Sequence, residues 1–94
     1  MVRDKGVETK LFNGPGFSVE IVRFHNLRYS EGKHVAVVWG ETLRGNPDYV
    51  LYANTLKQWE PPFDTEAMSG EDKERIINNL RLALKAWGIK YEVG

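Results

Sequence analysis

Residues 69–88 read SGEDKERIINNLRLALKAWG, and this stretch decides how the rest of the chain is arranged. Ile76, Ile77, Leu80, Ala83, Leu84 and Trp87 recur at the spacing that lines one face of an α-helix. Ser69 suits the N-cap, and Asp72 three residues on can answer it in a capping box. Glu71, Asp72 and Glu74 fall in the first turns, with Arg81 and Lys85 near the end, as the helix macrodipole favours. Gly88 supplies the left-handed stop, so both ends of the helix are set locally. A helix with one apolar face needs a partner layer, and the flanking sequence is β. Ile89 to Val93 alternates apolar and polar residues, the period of a half-buried strand.

Upstream, Phe17, Val19 and Ile21 alternate with Ser18 and Glu20. Leu27 and Tyr29 lead through Ser30-Glu31-Gly32-Lys33 into Val35-Ala36-Val37-Val38-Trp39, which reads as a hairpin. The Val35 to Trp39 run is apolar on both pleat faces and is expected to be a central strand, covered by the helix on one side and partly on the other. Arg44-Gly45-Asn46-Pro47-Asp48 is a turn before a strand through Tyr49 to Tyr52. Val7 to Phe12 reads either as a further edge strand, ended by Asn13-Gly14-Pro15-Gly16, or as a tail. The expected fold is α+β: a mostly antiparallel sheet of about five strands with one amphipathic helix on a face, in the order β-β-β-β-α-β.

With 94 residues there is room for one core, so residues 1–94 are expected to form a single domain, with 1–6 a tail. A hydrophobic content of 41% with 28% charged residues is that of a globular protein rather than a disordered one. Thirteen Lys and Arg balance thirteen Asp and Glu, so no overall field draws the chain to nucleic acid or an anionic membrane. Cysteine is absent, which excludes disulfides, thiolate metal sites and thiol nucleophiles. No apolar run of signal-peptide or membrane-spanning length occurs, and a cytoplasmic location is expected.

Candidate chemistry is sparse. His25 and His34 flank the hairpin and could face each other across it, but no ligand spacing completes a metal site. None of the serines sits in a nucleophile elbow, and Asn13-Gly14-Pro15-Gly16 lacks the Lys and Ser/Thr of a phosphate loop. No catalytic residue, metal or cofactor is therefore expected. Arg23, Phe24, His25, Arg28 and Tyr29 mix basic and aromatic groups and support an alternative reading as a small nucleic-acid-binding domain.

The segment Leu56-Lys57-Gln58-Trp59-Glu60-Pro61-Pro62-Phe63 stands apart. Consecutive prolines keep it extended and outside any helix or central strand, yet it carries two large aromatics. Trp59 either plugs the core or anchors a partner. Six acids lie between Glu60 and Glu74 against the one base Lys73. Those of the helix start are explained by the macrodipole; Glu60, Asp64 and Glu66 are not, and they suit a basic protein partner.

Taken in order, Tyr29 with the Glu31-Gly32 turn, the Val-rich strand ending near Glu41, the Tyr49 to Tyr52 strand, Trp59-Glu60-Pro61-Pro62, the helix with Ile76-Ile77-Asn78-Asn79 and the terminal strand resemble the bacterial polymorphic-toxin immunity proteins. The resemblance covers roughly residues 17 to 93, and its most specific piece is the Trp-x-Pro-Pro element before the helix. It implies a non-enzymatic cytoplasmic protein that binds and neutralises a cognate toxin, and it emphasises Glu41, Trp59 and Pro62. The expected partner-binding set is thus Glu41, Trp59, Glu60, Pro62, Asp64 and Glu66. Immunity proteins against nucleases are often strongly acidic, and this neutral chain departs from that pattern.

Overall fold

The helix is where its sequence places it. In the computed structural model, which describes residues 10–22, 25–45 and 47–94, α1 spans Gly70–Ala86 with Ser69 as N-cap. The Asp72 backbone N–H donates to Ser69 Oγ and the Ser69 N–H donates to Asp72 Oδ2, both at 3.0 Å, so two orphan donors are satisfied reciprocally. At the other end the N–H groups of Gly88 and Ile89 donate to the carbonyls of Lys85 and Leu84, each at 3.0 Å. This is a Schellman closure, and it requires the left-handed backbone that Gly88 adopts at φ 74°.

The buried face of α1 consists of Ile76, Leu80, Ala83 and Leu84, with Trp87 half-buried at the margin. It rests on a four-stranded antiparallel sheet formed by β1 (Leu11–Gly14), β2 (Phe17–Ile21), β3 (Leu27–Glu31) and β4 (His34–Val38), in that spatial order. The register aligns Val19 with Tyr29 and Tyr29 with Ala36, so Phe17, Val19, Leu27, Tyr29, Ala36 and Val38 all point at the helix. On the opposite face Leu11, Glu20, Arg28 and Val37 form a row across the sheet, and Arg28 sits 3.7 Å from Glu20. The sequence expectation of a strand at Val7 to Phe12 is met from Leu11 onward; its first residues, like the tail at 1–6, lie outside the described residues.

Two features differ from the single sheet expected. First, the Val35 to Trp39 run is at the edge of its sheet and not at its centre. Its outer edge is instead closed by the segment after β6 (Tyr49–Leu51): the Tyr52 N–H donates to the Trp39 carbonyl at 2.9 Å and the Glu60 N–H to the Val35 carbonyl at 2.7 Å. This explains an apolar strand without a second ladder neighbour, because irregular chain satisfies the edge that would otherwise be open.

Second, the strands divide between two sheets. After Trp39 the chain crosses into β5 (Gly40–Thr42), which pairs antiparallel with β6, while β7 (Tyr91–Val93) pairs parallel with β6. The parallel pairing follows from connectivity, since α1 carries the chain back over the core between β6 and β7. Tyr49 and Leu51 face inward and join the same hydrophobic cluster as the first sheet and the helix. The α+β class with a helix on a mostly antiparallel sheet stands. Among the described residues the strands number seven, the sequence reading having missed β5 as a separate element. No helix among the described residues is long and apolar enough to cross a membrane.

Candidate functional site

The loop between β6 and α1 is held against the fold by aromatic groups. Leu56 and Trp59 turn inward and are 3% and 4% exposed, so Trp59 fills the core. Its expected role as a partner anchor is withdrawn, because a side chain with almost no accessible surface cannot form a contact surface. Trp59 meets the His34 ring edge-on at 4.9 Å between centroids, and Phe63 stacks on His34 at 4.0 Å. His34 Nε2 lies 2.8 Å from Glu66 Oε1, so Glu66 ties the loop to the first residue of β4. The structure thus supplies the local partner that the sequence did not reveal for this acid. Glu60, Pro62 and Asp64 remain exposed on the outer side of the loop.

The two histidines do not face each other. His34 pairs with Glu31 at the closed end of the β3–β4 hairpin, whereas His25 precedes the open end, where Leu27 pairs with Val38. Among the described residues no group of three His, Asp or Glu is placed to hold a metal ion.

Glu41 lies elsewhere, on β5. About six residues of extended chain separate it from Val35, where the loop begins its contact, which amounts to about 20 Å. Here the strand carrying Trp39 passes from one sheet to the other, and Trp39 is 60% exposed. Trp39, Gly40, Glu41, Tyr52 and Asn26 line an open hollow of about 330 Å³. The Tyr52 hydroxyl donates to Glu41 Oε1 at 2.7 Å, and this bond to a carboxylate raises the phenol above its ordinary pKa. The Gly40 N–H donates to Asn26 Oδ1 at 3.2 Å, and the Trp39 N–H to Thr55 Oγ1 at 2.9 Å.

The floor of the hollow depends on Gly40. A Cβ at this position would collide with the Tyr49 ring and hydroxyl, which cross beneath to donate to the His25 carbonyl at 2.5 Å. Burial pushes the Tyr49 phenol far above its ordinary pKa, so it is a donor at every physiological pH. Sequence reasoning reached Glu41 through resemblance alone and missed Trp39, Tyr52 and Asn26. The alternation that buries Ala36 and Val38 was the available sign, for it places Trp39 on the face directed away from the helix.

The sequence profile of Immunity protein 74 matches residues 19–94, from within β2 through the end of the chain. The chain belongs to the Immunity protein 74 family. No curated protein and no solved structure shows a match. The Immunity protein 74 match takes in the hollow at Trp39 and the loop from Glu60 to Glu66 alike.

Within this Immunity protein 74 chain, two of the groups behind the nucleic-acid alternative, Tyr29 and Arg28, are otherwise engaged. Tyr29 is fully buried, its hydroxyl donating to Glu31 and accepting from Asn79, and so it cannot stack on a base. Arg28 is beside Glu20, while Arg23 and Phe24 lie outside the described residues. Arg75 forms a two-pronged pair with Glu31 at 2.9 and 3.0 Å and also bonds Asp72 at 3.0 Å, fastening the start of α1 to the β3–β4 turn. That network holds the start of the helix against the first sheet.

Proposed function

We propose that this protein neutralises a cognate bacterial toxin in the cytoplasm by binding it, without catalysis of its own. The observation that carries the reading is the Immunity protein 74 match over residues 19–94. Physical features support a binding role. Rigid, pre-ordered elements lose little entropy on association, and both patches are of that kind. One is a loop clamped by His34, Phe63 and Glu66; the other is a strand junction braced by Tyr49.

The contact surface we propose comprises Glu41 together with Glu60, Pro62, Asp64 and Glu66, to which the structure adds Trp39. Exposed tryptophans are common anchors of interfaces, and acids around them quicken encounter with a basic partner. The test is co-expression. A toxin domain that copurifies with the chain from the native host arrests growth when produced alone; growth returns when the chain is produced with it, and the two elute as a stoichiometric complex. A chain that restores growth without forming a complex would replace binding by an indirect mode of protection.

A further inference from the structure

Of the aromatic side chains resolved on this fold, Trp39 alone among the tryptophans presents most of its surface to water, at 60% exposure, while Trp59 is buried and Trp87 half-buried. It stands beside a carboxylate. Glu41 lies two residues on, and both side chains line the same hollow. Trp39 and Tyr52 are joined by a backbone hydrogen bond, and Tyr52 holds one oxygen of Glu41 at 2.7 Å. The second carboxylate oxygen has no partner in that bond. The hollow is therefore walled by two aromatic rings and one oriented carboxylate, with no cationic side chain among the described residues of its lining.

Glu41 pairs with Val50 and Val50 with Glu92, so a second carboxylate lies on the same face, about 10 Å away across two strand spacings. Tyr49 and Leu51 point to the core from the intervening positions. Lys90, two residues before Glu92 and exposed like it, offsets that second acid, so the negative charge that matters is the Glu41 carboxylate in the hollow; an aromatic hollow with a carboxylate is complementary to a cation.

We infer that the Trp39–Glu41–Tyr52 hollow receives a basic side chain, an arginine guanidinium, from a protein partner. Its planar cation stacks on the indole of Trp39 and donates an N–H to the unused oxygen of Glu41. Tyr52 is a positioning residue: its hydroxyl fixes the carboxylate rotamer so that the free oxygen is directed at the hollow. A volume of about 330 Å³ is ample for one inserted side chain. The identity of the partner as a toxin rests on the immunity reading; the chemistry of the hollow does not.

The isolated chain supplies the test. Isotope-labelled protein is titrated with N-acetyl-arginine amide, and with N-acetyl-citrulline amide as its neutral isostere, while the Trp39 indole and Glu41 backbone signals are followed by NMR. The arginine compound should shift both signals saturably, with a Kd on the order of 10 mM for a single such contact, and citrulline should not. E41Q should weaken binding by roughly fivefold, and added salt should do the same in the wild type. Equal shifts with citrulline, unchanged binding in E41Q, or no saturable shift at Trp39 each overturn the inference while leaving toxin neutralisation standing. So does a cognate toxin whose affinity is the same for W39A and E41Q as for the wild-type chain.

Discussion

Replacing Leu80 by alanine should weaken the fold severely, and replacing Leu82, two residues along the same helix, should hardly affect it. Leu80 is fully buried between Ile76 and Leu84 on the face of α1 that meets the first sheet, whereas Leu82 is 50% exposed. Truncating a leucine removes about three carbons, roughly 2.4 kcal/mol of transfer free energy at about 0.8 per buried methylene. A cavity term adds to this, because the walls are set by paired strands and by a helix locked at both ends. Leu80→Ala should then cost about 3 kcal/mol, within the roughly 2–5 range of buried leucines, and Leu82→Ala less than about 0.5. For a chain of this size the former lowers the melting temperature by roughly 12–24 °C. Urea titrations followed by circular dichroism provide the comparison. Similar midpoints for the two variants, or a Leu80→Ala midpoint equal to wild type, would refute the assigned helix face.

Further outcomes test other parts of the structure. Glu60→Lys combined with Asp64→Lys should leave the unfolding midpoint within about 0.5 kcal/mol of wild type, yet slow association with the toxin, more so at low salt. Wild-type association kinetics at low salt would show these acids to be merely solvated. Gly40→Ala forces Tyr49 from beneath the hollow and should destabilise by about 1–3 kcal/mol, seen in the same urea assay; an unchanged midpoint would mean that the ring relocates freely. Burial opposes ionisation of Glu31, but hydrogen bonds from Arg75 and Tyr29 outweigh it and hold its pKa below the ordinary value. The unfolded chain therefore binds the extra proton, so this stabilisation is full at neutral pH and is lost as pH falls below about 4 through the native titration. Glu31→Gln should be less stable than wild type at pH 7 and converge with it in acid; a constant gap would remove Glu31 as the titrating group.

The parts of this fold that were legible in the sequence are those with local causes. Ser69, Asp72 and Gly88 carry the helix boundaries within a few residues, and the alternation of Phe17, Val19 and Ile21 carries the facing of β2. The edge position of β4 was not legible. It depends on a segment 13 to 25 residues away folding back to satisfy the Trp39 and Val35 carbonyls, as Tyr52 and Glu60 do. The same contact decides Trp59: two prolines fix an extended backbone but do not say which way its side chain turns, and the Glu60 hydrogen bond to β4 turns it inward. The acid at Glu66 looked unexplained because its partner, His34, lies 32 residues earlier. Trp39 is a different case. In an unbroken apolar run it reads as core, although the alternation that buries Ala36 and Val38 places it on the face away from the helix.

This division bears on how a small neutral chain can carry a specific partner surface. The helix and the inner faces of both sheets are occupied by the core, and the Glu31–Arg75–Asp72 network fixes the helix start. The proposed contact surface uses the outer face around Trp39 and the outer side of the clamped loop, separated by at most about 20 Å of extended chain. A standard interface of about 800 Å² per partner is roughly 30 Å across, so one toxin surface can cover both. Local negative charge at Glu41, Glu60 and Asp64 is then compatible with a net charge of zero, because most of the balancing bases lie elsewhere in the chain, Lys57 of the same loop being an exception. Electrostatic steering depends on the field at the docking face, within about 10 Å at physiological salt, rather than on the total. Neutrality of the whole molecule therefore does not argue against a basic partner for the contact surface proposed above.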